Sequence, residues 1–182
     1  MRIISGEYRG KALCSFKTEL IRPTADKVKQ ALFTKFQFDI EGCSFLDLFA
    51  GTGAIGIEAI SRGANKVVFV DNNEESVALI KANLKSINCS KNVFTSDYKG
   101  YLKKCTQKFD FIFIDPPYAH VEAYDQALKN IFEKDILEKD GVIICEHSSD
   151  FAIKNTSFDL FCQKKYGLVT LSYFKLKEEL LQ

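Results

Sequence analysis

The chain has 182 residues, 46% of them hydrophobic, which is the size of one domain and enough to bury a sizeable core. A net charge of +1 excludes a protein that holds nucleic acid by bulk charge alone, and no apolar run is long enough to cross a bilayer. Six cysteines lie scattered without a Cys-x-x-Cys pair and the only histidines are His120 and His147, so no metal site is expected and the thiols read as reduced, as in a cytoplasmic protein.

The charge is unevenly spread. Residues 1–37 carry eight Lys and Arg against three acids, and the remainder carries seventeen against twenty-one, so a polyanion would meet the N-terminal segment first. Arg2-Ile3-Ile4-Ser5 and Lys11-Ala12-Leu13-Cys14 read as two short strands around the turn Gly6-Glu7-Tyr8-Arg9-Gly10. Tyr8 with Arg2, Arg9 and Lys11 offers RNA a stacking face and phosphate contacts, although basic hairpin tips also occur on proteins that bind nothing. Arg22-Pro23-Thr24-Ala25-Asp26 signals a helix start with Thr24 as N-cap, and that helix is expected to run to about Phe38. Val28, Ala31, Leu32 and Phe36 recur at helical spacing and should pack on the body, leaving Lys27, Lys29 and Lys35 largely in water.

From Cys43 onward, strand-like and helix-like segments alternate, the pattern of a doubly wound parallel sheet. The apolar run Phe45-Leu46-Asp47-Leu48-Phe49 passes through Gly51-Thr52-Gly53-Ala54-Ile55-Gly56 into an apolar-periodic helix. Such a glycine turn lets a ligand approach the backbone, but alone it is a weak sign, shared with dinucleotide-binding proteins. A second strand at 66–70 ends at Asp71 and leads into a helix to about Ser86. A third at 93–95 ends near Asp97, with a short helix from Tyr98 to about Lys103. A fourth at 109–114 runs straight into Asp115-Pro116-Pro117-Tyr118. A helix at about 122–132, a fifth strand at 141–145 and an antiparallel pair over 160–174, joined at Gly167, complete the chain.

Ligands of open parallel sheets bind outside the carboxyl ends of the strands, where Asp47, Asp71, Asp97 and Asp115 are expected to line one rim. Asp71 lies about 20 residues beyond the first glycine, where a carboxylate accepts from both hydroxyls of a ribose; the alternative is a cap for the helix that opens at Asn72-Asn73. Asp97 suits an adenine amine or a helix cap. In Asp115-Pro116-Pro117-Tyr118, two prolines remove two backbone donors and stiffen the chain. Carbonyls and a carboxylate can then converge as acceptors beside an aromatic plane, an arrangement suited to a flat base with an exocyclic amine.

Leu46-Asp47-Leu48-Phe49-Ala50-Gly51-Thr52-Gly53 with Asp115-Pro116-Pro117-Tyr118 resembles the S-adenosylmethionine-dependent amino-methyltransferases. With Arg2-Ile3-Ile4-Ser5-Gly6, Arg22-Pro23-Thr24, Ala31-Leu32-Phe33 and Glu58-Ala59-Ile60-Ser61-Arg62-Gly63-Ala64 added, the whole chain resembles the bacterial methyltransferases that make N2-methylguanine in 16S ribosomal RNA. The resemblance implies a Rossmann-like, class I methyltransferase sheet of seven strands with the last antiparallel, preceded by an N-terminal hairpin and helix. It implies one domain, with residues 1–40 as an RNA-contacting appendage and 41–182 as the catalytic core. Asp115, Pro116, Pro117 and Tyr118 then belong at the target base. Asp47, Phe49, Gly51, Gly53, Asp71, Asn72, Asp97 and Thr24 fall to the cofactor S-adenosylmethionine, and Arg2, Tyr8, Arg9, Lys11 and Arg22 to RNA. The implied partner is the small ribosomal subunit or its precursor, met by a cytoplasmic monomer. Tyr98 departs from the family pattern, which has a small residue there. Three rivals share parts of these motifs: an adenine-N6 DNA methyltransferase, a nicotinamide-dependent oxidoreductase with no role for the Asp-Pro-Pro-Tyr, and a non-catalytic RNA-binding assembly factor.

Overall fold

The computed structural model describes residues 1–16, 23–154 and 157–177, with the backbone alone for 23–25. Its elements are α1 (Pro23–Lys35), β1 (Ser44–Asp47), α2 (Ala54–Ser61), β2 (Lys66–Asp71), α3 (Glu74–Ser86), β3 (Asn92–Thr95), α4 (Tyr98–Lys104), β4 (Phe109–Ile114), α5 (Glu122–Glu133), β5 (Leu137–Ser148), β6 (Asp159–Tyr166) and β7 (Val169–Lys175).

The strands form one seven-stranded sheet in the order β3-β2-β1-β4-β5-β7-β6. β1 to β5 pair in parallel, and β7 inserts antiparallel to both β5 and β6, so the last strand is the reversed one. This is the expected class I methyltransferase sheet. Alternate strand residues feed two cores, as the pleat requires. Phe45, Phe69, Phe111 and Ile144 pack under α1, α2 and α3 on one face, whereas Leu46, Val70, Ile112 and Ile143 pack under α4 and α5 on the other. Helix α2 lies hard against β2. A Cβ on Gly56 would fall 2.3 Å from the Phe69 ring, so only glycine permits that approach. The chain winds outward from β1 to β3 and then returns to β4, which places the switch in strand order between β1 and β4.

Three local expectations need correction. The N-terminal strands pair antiparallel but stay short: one bridge joins Arg2 to Ala12, and the Ile3, Gly10 and Leu13 amides donate to the Lys11, Ile3 and Met1 carbonyls at 3.0, 2.9 and 3.0 Å. The amides that would have extended a ladder turn instead to α2, with Ile4 and Ser5 donating to the Glu58 carboxylate at 2.8 and 3.0 Å, Tyr8 to Ser61 Oγ at 3.0 Å and Glu7 to the Ser61 carbonyl at 2.7 Å. Gly6 makes this docking possible, since at φ +85° its missing Cβ would lie 1.7 Å from the Ser61 carbonyl oxygen. Lys29 is buried, not solvated: its Nζ donates to the Arg2 carbonyl at 2.7 Å and lies 3.5 Å from Glu58, which also holds Arg62 at 2.8 Å. Thr24 falls inside α1 and is not its cap, because the helix begins at Pro23, whose absent N–H suits the first turn.

The helix ends at Lys35, leaving Phe38 exposed, and β5 is longer than expected. Leu137 pairs with Phe109 and Val142 with Phe111, so five residues of β5 span what two of β4 do. The polar Glu138-Lys139-Asp140 sequence bulges out between them, which is why only the segment after it reads as a strand.

Candidate active site

A cavity of about 760 Å³ opens at the carboxyl ends of β1, β2 and β4, within the roughly 300–1,000 Å³ typical of small-molecule sites. From the glycine turn and β2 its wall takes Phe49, Gly51, Asp71, Asn72 and Asn73. From α4 and its approach come Ser96, Asp97, Tyr98 and Lys99, and from the end of β4 come Asp115, Pro116, Pro117, Tyr118, His120 and Glu122. The structure thus brings one acid from each of three strand ends to a single cavity.

Asp71 is a structural pin as well as a wall. Its Oδ2 accepts the Gly51 N–H at 2.7 Å and its Oδ1 the Asn73 N–H at 2.9 Å, while the capping role passes to Asn73, whose side chain accepts from Glu75 and Ser76. A carboxylate offers about four lone-pair positions, and Asp71 uses two of them among the described residues. Asp97 caps α4 through Gly100 at 2.9 Å and faces the cavity too. The Phe49 and Tyr98 rings meet at 5.1 Å, and Tyr98 Oη donates to Gln126 Oε1 at 2.7 Å, tying α4 to α5. Sequence spacing shows the ring at 98 but not its partners, since Gln126 lies a whole strand away.

In the acceptor turn, the Pro117 carbonyl is engaged by the His120 N–H at 2.8 Å. The Pro116 carbonyl takes no hydrogen bond among the described residues, and Tyr118 is 66% exposed. Asp115 opens onto the cavity, yet protein crowds it on its inner side. That crowding, with Glu146 and Asp47 as negative neighbours, pushes its carboxyl well above the ordinary range. Burial also raises Glu146 and Asp47, each to about 7.

Other expected site residues lie elsewhere. Asp47 is not on the rim: it is 1% exposed, off the cavity wall, and accepts the Gly56 N–H at 3.0 Å, because it pairs with Phe69 of β2 and Phe113 of β4, short of Asp71 and Asp115. Gly53 sits at the N-terminus of α2, off the wall. The Thr24 side chain and the whole of Arg22 lie outside the described residues. Arg2, Arg9 and Lys11 are exposed on the N-terminal turn, and Tyr8 is half-buried against the core. That turn reaches the cavity's glycine loop through Asn83, a fully buried residue of α3. Asn83 bonds both backbone groups of Cys14 and donates to the Thr52 carbonyl at 3.1 Å. An asparagine at an apolar position of a helix was the one sequence sign of this link.

The family model described as "Conserved hypothetical protein 95" matches residues 1–175. The chain belongs to that family. Among members of like sequence, Ribosomal RNA small subunit methyltransferase D of Haemophilus influenzae is 33% identical over 96% of this chain and 93% of its own length. YlbH of Bacillus subtilis, whose name puts it forward as an rRNA methyltransferase, is 36% identical over 96% of this chain and 98% of its own. The solved structure of yhhF from Escherichia coli, described as a candidate methyltransferase, superposes with a TM-score of 0.86 at 25% identity, covering 97% of this chain and 98% of that one. The resemblance carried by the glycine turn and the Asp-Pro-Pro-Tyr sequence is thereby borne out at the level of family and fold.

Proposed function

We propose that this family member transfers a methyl group from S-adenosylmethionine to the exocyclic N2 of a guanine in 16S ribosomal RNA. The observation that carries the reading is the meeting, in one cavity, of the Asp71 wall with the Asp115-Pro116 acceptors and the exposed Tyr118 ring. The names of the Haemophilus and Bacillus relatives support ribosomal RNA as the substrate class.

The cavity suits the cofactor. Its volume is adequate, Asp71 keeps acceptor capacity for ribose hydroxyls, and Phe49 and Tyr98 supply aromatic surface for a base. Asp71 and Asp97 make the wall attractive to a cation. When bound, S-adenosylmethionine supplies an electrophilic methyl on a positively charged sulfur.

The amine of guanine is a poor nucleophile, because its lone pair is delocalised into the ring. Asp115 and the Pro116 carbonyl accept its N–H groups, return electron density to nitrogen and fix its direction, while Tyr118 stacks on the ring. With two prolines in sequence, the turn offers the amine acceptors and no competing amide donors. Positioning of this kind is worth about 7–11 kcal/mol of barrier. The guanine must be unpaired or extruded to enter. Arg2, Arg9 and Lys11 are assigned to phosphates of the same RNA, on the basic N-terminal turn.

The test is incubation with methyl-labelled S-adenosylmethionine and unmodified small subunits, stripped 16S RNA or DNA, followed by digestion to nucleosides. Label in N2-methylguanosine from either RNA sample is the expected result. Label in N6-methyladenosine from DNA, or none in any sample, would refute the assignment.

A further inference from the structure

Two strands lie beyond β5, and the register of the sheet carries the level of Asp115 out to them. Asp115 leaves β4 directly after Ile114, which pairs with Cys145, so it stands level with Glu146; Glu146 pairs with Leu171 of β7, and Leu171 with Lys164 of β6. At the usual spacing of about 4.8 Å between strands, Lys164 is three strands and about 14 Å from the acceptor turn. β6 runs in the direction of β4, so Lys165 and the turn at Gly167-Leu168 rise past that level on the side where the cavity opens.

This corner is tied down on both sides of the lysines. Ser149, just past β5, donates its N–H to the Leu168 carbonyl at 2.9 Å and its hydroxyl to the Gly167 carbonyl at 3.2 Å, with Thr170 Oγ1 2.9 Å away. Before the lysines, Gln163 donates to Ser172 Oγ at 2.8 Å, and His147 Nε2 meets the same oxygen at 2.8 Å. Lys164 and Lys165 are exposed and make no ion pair among the described residues. As consecutive residues of an edge strand they stand on its two faces, so their charge wraps the edge. Residues 148–151 and 163–170 together hold these two lysines against one acid, Asp150. Lysines on an edge strand also keep other strands away. For that duty they would be needed at the other end of β6, where Leu160 and Phe161 are 51% and 41% exposed.

We propose that the β6–β7 corner is a second RNA-binding surface, on which Lys164 and Lys165 hold phosphates of the strand that carries the target base. This rests on the ribosomal RNA reading above. The tip of the basic N-terminal turn docks on Ser61, the last residue of α2, whereas the glycine turn of the cavity lies at the start of that helix. An RNA held by that tip alone would lack support at the level of the acceptor turn. Two ammonium groups on a fixed corner at that level supply it, and keep the flanking strand in place while the base is out of its stack. Phosphate contacts set register and orientation without reading sequence, which leaves the choice of base to Asp115 and Pro116.

The test is binding of 16S RNA stripped from unmodified subunits, measured across salt concentrations. The wild type is compared with Lys164→Ala plus Lys165→Ala, with Lys164→Arg plus Lys165→Arg, and with Lys81→Ala plus Lys85→Ala, which removes equal charge from exposed positions of α3. The alanine pair at the corner should bind more weakly and flatten the slope of log affinity against log salt by about 1–2, whereas the arginine pair and the α3 pair should keep the wild-type slope. S-adenosylhomocysteine affinity should be the same in all four proteins. An unmoved slope in the corner alanine pair, or an equal loss in the α3 pair, overturns the surface. So does a corner pair that alters only the association of the protein with itself, which would make β6 an edge that meets a second copy. Should the wild type bind RNA through the corner but methylate no nucleobase, the methyltransferase reading fails and the surface stands.

Discussion

Asp71 and Gly51 are joined by a hydrogen bond of 2.7 Å, so the carboxylate that faces the cavity also sets the backbone of the glycine turn across from it. Its two oxygens hold two backbone amides, those of Gly51 and Asn73, before any ligand arrives. Asp71→Ala should therefore weaken S-adenosylhomocysteine about tenfold to a hundredfold, the loss expected for hydrogen bonds to a charged group, with little change in RNA affinity. Titration calorimetry checks it, and unchanged affinity would reduce Asp71 to a pin for the loop.

Gly6 and Gly10 have nearly the same backbone angle, φ +85° and +84°, but different neighbours. A Cβ at Gly6 would strike the Ser61 carbonyl at 1.7 Å, whereas nothing lies within 4 Å of one at Gly10. Gly6→Ala should cost clearly more than Gly10→Ala, by about 1–3 kcal/mol of overpacking on top of the shared strain. Thermal unfolding of the two variants decides it, and equal losses would mean that the N-terminal turn does not dock on α2.

The fold could be read in advance wherever a strand ended in chemistry. The apolar run into Asp115-Pro116-Pro117-Tyr118, the glycine turn and the spacing to Asp71 all point to the same crevice, and the structure brings them to one cavity. Long-range pairing was not legible. Lys29 sits on the face that helical periodicity assigns to water, because its partner Glu58 lies on another helix. Asp47 ends a strand as the other acids do, but it pairs with Phe69 and Phe113, short of Asp71 and Asp115, and its carboxyl accepts from Gly56. The N-terminal strands stay short for a similar reason. Their donors find the Glu58 carboxylate and Ser61, which no local pattern reveals.

Asp47 carries a stability signature. Burial raises its carboxyl from an ordinary 3.8 to about 7 in the folded state, so between those values the native protein binds more protons than the unfolded chain. Stability should then fall as pH rises through that interval and level off above it, by up to a few kcal/mol at about 1.4 kcal/mol per unit. Asp47→Asn, which keeps an acceptor for Gly56, should flatten this slope and be the more stable protein on the alkaline side. Urea unfolding at about pH 5 and about pH 8 measures it, and identical slopes in the two proteins would contradict the buried carboxyl.

Asp115→Asn provides the most direct measurement, taken as single-turnover methylation of small subunits alongside S-adenosylhomocysteine affinity on the same preparation. Transfer should slow by about 10²- to 10⁴-fold while the cofactor product still binds nearly as tightly as to the wild type. Wild-type transfer by this variant would contradict the account, since the carboxylate at the end of β4 would then have no part in activating the amine.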